Sequence, residues 1–578
     1  MINKLLILGV LATSISLMNA EKVINVPCAG DDQTWVIQEA FVKASFYKGK
    51  NVTIRLEPST YHLHRDNAAL HAYYISNTSF SQENSGHMKH IGVWMRDMEN
   101  ITFDGNGATI ITHGEMSPFV IDNCKNIKLI NFTLDSADPS VVEITISKTG
   151  ENFIEFEILP PTKFEVQEDR FYFYGDKWKF GDENINPDQK IIAQIYDPEF
   201  ERTLRTSSPI KGYTKAEKID ENNVRLFFED IPKVTPGERY QLRHSLMNEA
   251  CMLINNSRDI EVNSIDFNFM GNYGAVSQFS ENITFSNIHC QPSKESGRTN
   301  AGFTDFLQFS SCKGFVKVLN SDFSGSQEDP IIIQGTFLDV VKTDSDNRIT
   351  VANKDPQAFD FPPFNKGDEL AFVNHESLTY TGKTAKVDSV WTEDNNNYEL
   401  ILDQKISDFF EGALIPDFAV ENLTLTPDVE ISSNYFSHTP TRAILITNHR
   451  KSIIKDNKFY HIPKASIQVA YDTNSWLEPD KITDLIIRNN IFIECKSPVI
   501  SVSPEIKYFK EQVHSNISII GNRFLLPKPG AININASTEV LIKKNTFEFP
   551  TFQDLTEDDL ITTKNVTNLK TEGNRIIL

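Results

Sequence analysis

The sequence predicts an all-β protein: a right-handed parallel β-helix carrying two inserted antiparallel β-barrel or sandwich modules. Three observations predict it. Between Ile91 and Gly325 one unit recurs as MENITFDGNGATII, CKNIKLINFTLD, SRDIEVNSIDFNF, SENITFSNIHC and CKGFVKVLNSDFSG. Each copy is a polar turn, an alternating strand, and an Asn or Asp shortly before an apolar residue. Near the C-terminus the theme sharpens to Asn-x-Phe, at Asn434, Asn457, Asn490, Asn522 and Asn545, with intervals of 23, 33, 32 and 23 positions. A recurring period of this size marks a solenoid, since three strands of typical length with short turns occupy about 22–25 residues. The third observation is that residues 140–245 and 337–425 lose the period. They alternate instead as isolated strands (VVEITISKT, NFIEFEIL, KIIAQIYD, VRLFFED; FLDVVKT, RITVAN, DELAFVN, AKVDSVWT, YELILD) between Pro, Gly and Asn turns, as antiparallel modules do.

The chain therefore divides into a secretory signal at 1–20, a cap with the first rungs at 21–139, a β-module at 140–245, rungs at 246–336, a second β-module at 337–425, and final rungs at 426–578. Residues 1–20 (MINKLLILGVLATSISLMNA) have Lys4 at the start, an apolar run from Leu5 to Leu17, and Ala20 before the cleavage point. That run is shorter than the roughly 20 residues needed to span a bilayer. An exported protein without a membrane span, periplasmic or secreted, is expected. Next, VINVPCAGDDQTWVIQEAFVKASF reads as a strand, a turn and an amphipathic helix. Asp31 or Asp32 would be its cap, with Trp35, Ile37, Ala40 and Phe41 on its apolar side. A helix there closes the end of the solenoid, where an exposed rung would offer a sticky edge. In the final rungs, each repeated Asn is expected to take the left-handed turn conformation and stack its amide on the next. The Phe two positions later should line the interior.

Composition narrows the function. A chain of 578 residues is long for one compact core. Its 40 phenylalanines suit stacked β-layers. The formal net charge of −22, with no basic run, excludes a nucleic-acid partner. Six cysteines (28, 124, 251, 290, 312, 495) lie far apart with no CxxC pair, which argues against a zinc site and against a disulfide-dense scaffold. Cys124, Cys290 and Cys312 are expected as buried apolar thiols.

The chemistry concentrates in AGFTDFLQFSSCKGFVKVLNSDFSGSQEDPIIIQG, Ala301 to Gly335. Asp305 and Asp329 are 24 positions apart, about one rung, which puts them on neighbouring strands about 4.8 Å apart. Glu328 precedes Asp329 at a strand start, where a bend can aim both outward. Three acids so close repel, and at least one is expected to keep its proton near neutrality. A protonated acid beside an ionised one is what glycoside hydrolysis needs. Solvated turn acids would show the same spacing.

Further motifs go with these acids: HGEMSPF (His113 to Phe119), NFTLD (Asn131 to Asp135), SGR (Ser296 to Arg298), TDFLQFSSCKG (Thr304 to Gly314), the pair Glu328-Asp329, RAILIT (Arg442 to Thr447), and D-x-x-x-W-x-E (Asp472, Trp476, Glu478). In order and spacing they resemble glycoside hydrolase family 110, the exo-acting α-1,3-galactosidases, over most of the chain. The resemblance implies a β-helix with inserted β-barrel modules and an inverting hydrolysis of terminal α-1,3-linked galactose without metal or cofactor. On that resemblance Glu328 is the general acid, and Asp305 and Asp329 hold and deprotonate the attacking water. Asp472, Trp476 and Glu478 bind the sugar, although Trp476 alone fits a core aromatic equally well. Arg298 and Arg442 suit either hydroxyl and anion binding or ion pairing within the scaffold. Where the family pattern runs DD-x-IN-x-HG, this chain has EDPIIIQG, so Ile332 and Gln334 replace Asn and His. The expected partner is a carbohydrate, and inserted modules offer surfaces for a homo-oligomer. Two alternatives stay open: a catalytically weakened galactoside-binding solenoid, and another inverting β-helix polysaccharide hydrolase. The second lacks the basic motif that a uronate substrate requires.

Overall fold

The computed structural model describes residues 21–78, 87–181, 190–345, 347–353, 364–392, 397–406, 409, 417–471 and 480–578. The expected signal, 1–20, lies outside the described residues. No helix among the described residues is long and apolar enough to cross a membrane.

Two long sheets wind around one core. Among the described residues one has 22 strands and the other 12, and every pair in the second is parallel except its first, Ala69–Ala72 with Met88–Arg96. Rungs stack in a fixed register, clearest in the column Leu307, Ile331, Ile444, Ile467, Ile500, Ile532 and Ile561. These side chains, β-branched in every case but Leu307, point inward and fill the same core from end to end. A β-branched residue packs well against its like one rung away, which is why these segments are strands.

The Asn-x-Phe repeat forms two ladders. Phe323, Phe436, Phe459, Phe492, Phe524 and Phe547 stack nearly parallel, with centroid separations of 5.2, 4.9, 4.8, 4.9 and 4.8 Å. Beside them runs a column of buried asparagines. Asn490 shows the pattern: its Oδ1 accepts from the backbone N–H and the Nδ2 of Asn457, both at 3.0 Å. Its Nδ2 donates to the Ile454 carbonyl at 2.9 Å and to Asn522 Oδ1 at 3.0 Å. Every polar atom of the side chain is thus satisfied in the core. The left-handed conformation expected of these asparagines falls one residue earlier, on Ser433, Asp456, Asn489, Gly521 and Lys544. That preceding residue turns the corner, so the Asn side chain swings inward beneath it.

Helix Thr34–Ser45 covers the first rungs, burying Ile37, Ala40, Phe41 and Ala44. The N-cap is Gln33, without a side-chain cap, and not Asp31 or Asp32 as expected; Asp32, one residue earlier, accepts from the Thr34 backbone N–H at 2.9 Å and from its hydroxyl at 2.6 Å. Trp35, expected on the apolar side, is 62% exposed. At about 100° per residue, position 35 lies some 200° from position 37 and faces away from the core. All six cysteines are free thiols, with Cys124, Cys290 and Cys312 buried.

Both inserted modules have their own cores. The first is a seven-stranded antiparallel sheet between Val142 and His244, with a three-stranded sheet from Lys163 to Phe180 packed on it through Phe156, Phe171, Phe173 and Trp178. The second is a closed six-stranded barrel running from Phe337 to Asn422. The first sheet is seated on the helix by the buried Glu143, which accepts from the Thr299 N–H at 2.6 Å, from Asn300 Nδ2 at 2.6 Å and from the Arg239 guanidinium at 2.5 Å.

The amide ladder yields a positional prediction. Asn490→Ala takes the side-chain acceptor from the Asn457 N–H and removes one of the partners of Asn457 Nδ2, of Asn522 Oδ1 and of the Ile454 carbonyl. At about 1–3 kcal/mol for a buried group left unpaired, with weakened bonds beside it, a loss of about 2–4 kcal/mol is expected. Asn574→Ala, at the half-exposed last rung, should cost less than about 1 kcal/mol. Urea unfolding of both variants checks this, and equal losses would show that the ladder is not the source of stability.

Candidate active site

The register that stacks the rungs also assembles the acids. Ala275, Leu307, Ile331 and Ile444 pair in one column. Two residues before each, in the same order, stand Tyr273, Asp305, Asp329 and Arg442. Neighbours in this second column bond to one another. The Tyr273 hydroxyl donates to Asp305. The Asp329 N–H donates to Asp305 Oδ1 at 2.7 Å. The Arg442 N–H donates to Asp329 Oδ1 at 3.0 Å, and its Nη2 meets Oδ2 at 2.7 Å. Four rungs thus contribute one hydrogen-bonded file at the mouth of the 12-stranded sheet.

Glu328 turns the other way. The Thr304 carbonyl accepts from both the Gln327 and Glu328 N–H groups at 3.2 Å, fixing a bend before the strand. The expectation that Glu328 and Asp329 aim outward together is not met, because the bend at Gln327 and Glu328 sends the two side chains to different partners. Asp329 is buried against Arg442, and Glu328 leaves toward the first inserted sheet. There Arg243 Nη2 meets its Oε1 and Arg205 Nη2 its Oε2, each at 2.6 Å. The Glu328 side chain retains 32% exposure, against 3% for Asp329.

Electrostatics follow from that geometry. Burial, reinforced by the nearby Asp329 and Glu328 charges, pushes the Asp305 carboxyl well above the usual carboxylate range. Burial, together with the Asp305 charge beside it, likewise pushes the Tyr273 phenol well up. Arg243 is fully buried, and desolvation pulls it down to about 10 against the attraction of Glu328, so it remains a cation at neutral pH. Its guanidinium lies over the Phe303 ring, 5.0 Å from the centroid.

The structure thus brings together Asp305, Glu328, Asp329 and Arg442. Arg298 pairs elsewhere, with its Nη2 2.8 and 3.1 Å from the two carboxylate oxygens of Asp135. Asp472, Trp476 and Glu478 lie outside the described residues. Ile332 packs with Leu445 and Ala470 in a small apolar cluster on strands neighbouring the acids. Sequence reasoning missed Tyr273, Arg205 and Arg243. Extending the Asp305–Asp329 spacing one rung backwards reaches Tyr273. For Arg243 the available signal is a charged residue in RYQLRH, Arg239–His244, a strand buried from Tyr240 onward; for Arg205 there is none.

A family model described as a right-handed beta helix region matches residues 416–547. An alpha-1,3-galactosidase A from Bacteroides thetaiotaomicron is 36% identical over 93% of both chains. A protein of the same name from Streptomyces avermitilis is 31% identical, covering 82% of this chain and 78% of its own. An alpha-1,3-galactosidase B from Bacteroides thetaiotaomicron is 27% identical, covering 94% of this chain and 90% of its own. A parallel β-helix with a carboxyl cluster where an inserted sheet meets the rungs is the architecture of a β-helix glycoside hydrolase. Within that class the chain belongs to glycoside hydrolase family 110, the α-1,3-galactosidase family.

The raised Asp305 carboxyl gives a signed prediction. Stability that depends on its proton is fully present below the unfolded value of about 3.8 and is lost as pH rises through the higher folded value. Asp305→Asn keeps the acceptor for the Asp329 N–H and carries no charge. Its melting temperature should match that of the parent near pH 4 and exceed it at pH 8. A gap that is constant with pH would contradict the assignment.

Proposed function

We propose that this protein is an exported exo-glycosidase that releases terminal α-1,3-linked galactose by single displacement with inversion. The observation that carries the reading is the division of the acids: Asp305 and Asp329 share one hydrogen-bonded file, while the neighbouring Glu328 turns to Arg205 and Arg243 of the inserted sheet. Inversion needs two such groups, on either face of the sugar, with room for water beside one of them. Glu328, the more exposed, is assigned the proton donor to the leaving oxygen. Asp305 and Asp329 hold the water and take its proton, with Arg442 fixing Asp329 through two contacts. Such a file favours a single orientation of the water, because both carboxyls are anchored by neighbouring rungs rather than by loops. Asp472, Trp476 and Glu478 are assigned to sugar binding, and Arg298, engaged by Asp135, to the scaffold. The apolar run at residues 5–17 supports export.

Three measurements test this. Glu328→Gln and Asp329→Asn should each lose about 10²–10⁴-fold in kcat on an α-1,3-galactosyl oligosaccharide while remaining folded. Unchanged turnover in both would end the reading. NMR of the first-formed sugar should show β-galactose, and α-galactose would establish retention instead. The acidic limb of kcat/KM should lie above the ordinary aspartate range, since Asp305 cannot accept a proton while it still holds one. A panel with and without a fucose branch then maps the preferred aglycone.

A further inference from the structure

The inserted sheet does more at the site than flank it. Arg205 lies on strand Arg202–Thr206 and Arg243 on Arg239–His244, with Ile191–Asp197 pairing between them. Gln194 stands opposite both Arg205 and Gln241 across these strands, and Arg243 follows Gln241 by two. All four side chains therefore share one face of the sheet. Each reaches the two residues that precede Asp329. Gln194 Nε2 donates to the Gln327 carbonyl at 2.7 Å, and Arg205 Nη2 donates to the same carbonyl at 3.1 Å. Gln327 Nε2 donates to Gln241 Oε1 at 2.6 Å. The two guanidiniums then take one carboxylate oxygen each of Glu328, at 2.6 Å.

We infer that this polar face is an aiming platform for Glu328, and that Arg205 and Arg243 are positioning residues that set where its carboxyl meets the leaving oxygen. The inference rests on the role assigned to Glu328 above. Two like charges side by side destabilise each other, and burying one of them costs more. The Glu328 carboxylate lies between them: Glu328 takes its proton from solvent, to which 32% of its side chain is open, gives it to the leaving oxygen, and is held most strongly by the two guanidiniums once that proton has left. Arg243 is the fixed half, enclosed by Phe303 and donating through Nη1 to the His244 carbonyl at 3.1 Å. Arg205, with 32% of its side chain exposed, is the half that borders solvent and hence the arriving aglycone. A second constraint is reach. The acid at this position is a glutamate, and its extra methylene carries the carboxyl out to the inserted sheet, off the rung itself. The backbone of the β-helix places Asp305 and Asp329, while the inserted module places the acid.

Leaving-group dependence separates aiming from a general structural effect. A nitrophenyl α-galactoside departs with little help from an acid, whereas a sugar aglycone needs its oxygen protonated. Arg205→Ala should therefore lose about 10²-fold in kcat on an α-1,3-galactosyl disaccharide and less than about 5-fold on the nitrophenyl substrate, with KM nearly constant. Arg205→Lys, which keeps the charge but offers no fork, should recover part of the loss. Added guanidinium ion, at tens of millimolar, should recover part of the loss in the Ala variant. Equal losses on both substrates, or none on either, would overturn the inference. If the Ala variant fails to fold, the same two-substrate comparison on Arg205→Lys decides it, with a disaccharide-selective loss expected. Glu328→Gln run in parallel keeps the two readings apart. Full activity of that variant on the disaccharide refutes the acid itself, while a selective loss there with no selectivity in the Arg205 variants refutes only the platform.

Discussion

The site exists because one rung sits on the next without slippage. Asp305 and Asp329 are brought together by the pairing of Leu307 with Ile331, and Asp329 and Arg442 by the pairing of Ile331 with Ile444. A shift of one residue in either pairing would bring the side chains of one rung out of step with the next and separate the carboxyls. The inward isoleucine column and the paired asparagine amides make such a shift costly, since both require like residues at the same height in each rung. The geometry of the acid cluster is in that sense a by-product of the packing that stabilises the solenoid.

Burial sharpens the balance of charges. The chain carries a formal net charge of −22, yet three arginines, Arg205, Arg243 and Arg442, are gathered on two of its acids. Asp305 alone has no cationic partner in the file. It is held by a phenol and a backbone N–H, and it is the acid driven toward its neutral form. Burial is the larger cause of that shift, and the Asp329 and Glu328 charges beside it add to it.

How much of this was legible in the sequence depended on the range over which each contact is encoded. The rung period is written in Asn-x-Phe and in the spacing of Asp305 and Asp329, so the helix, its inserted modules and the paired acids were readable. Periodicity also carried the fate of Phe436, Phe459 and Phe492. It did not reveal which residue turns the corner, because Ser433, Asp456 and Lys544 share no chemistry beyond tolerating that conformation. Trp35 was misplaced through its hydrophobicity, although the helical angle points it outward. Arg205 and Arg243 were invisible for a different reason. They reach Glu328 from an inserted sheet with its own register, and nothing in the rung period relates the two. Arg298 illustrates the converse: its motif was recognisable, but only the contact with Asp135 shows what it binds.

The asparagine column has a further implication. Each amide donates toward the next rung and accepts from the previous one, from Asn434 through Asn457, Asn490 and Asn522 to Asn545. The chain of bonds has the same polarity throughout, so every internal rung beyond Asn457 presents an identical upper and lower surface. Such rungs are interchangeable parts. The turns between them differ in length, yet the joints do not. Beyond Asn490, a rung excised or duplicated leaves matching amides on either side of the cut, and the file of acids, which ends at Arg442, keeps its surroundings. The C-terminal arm beyond Asn490 is therefore a natural place to lengthen or shorten this protein, away from the rung that carries Asp472, Trp476 and Glu478.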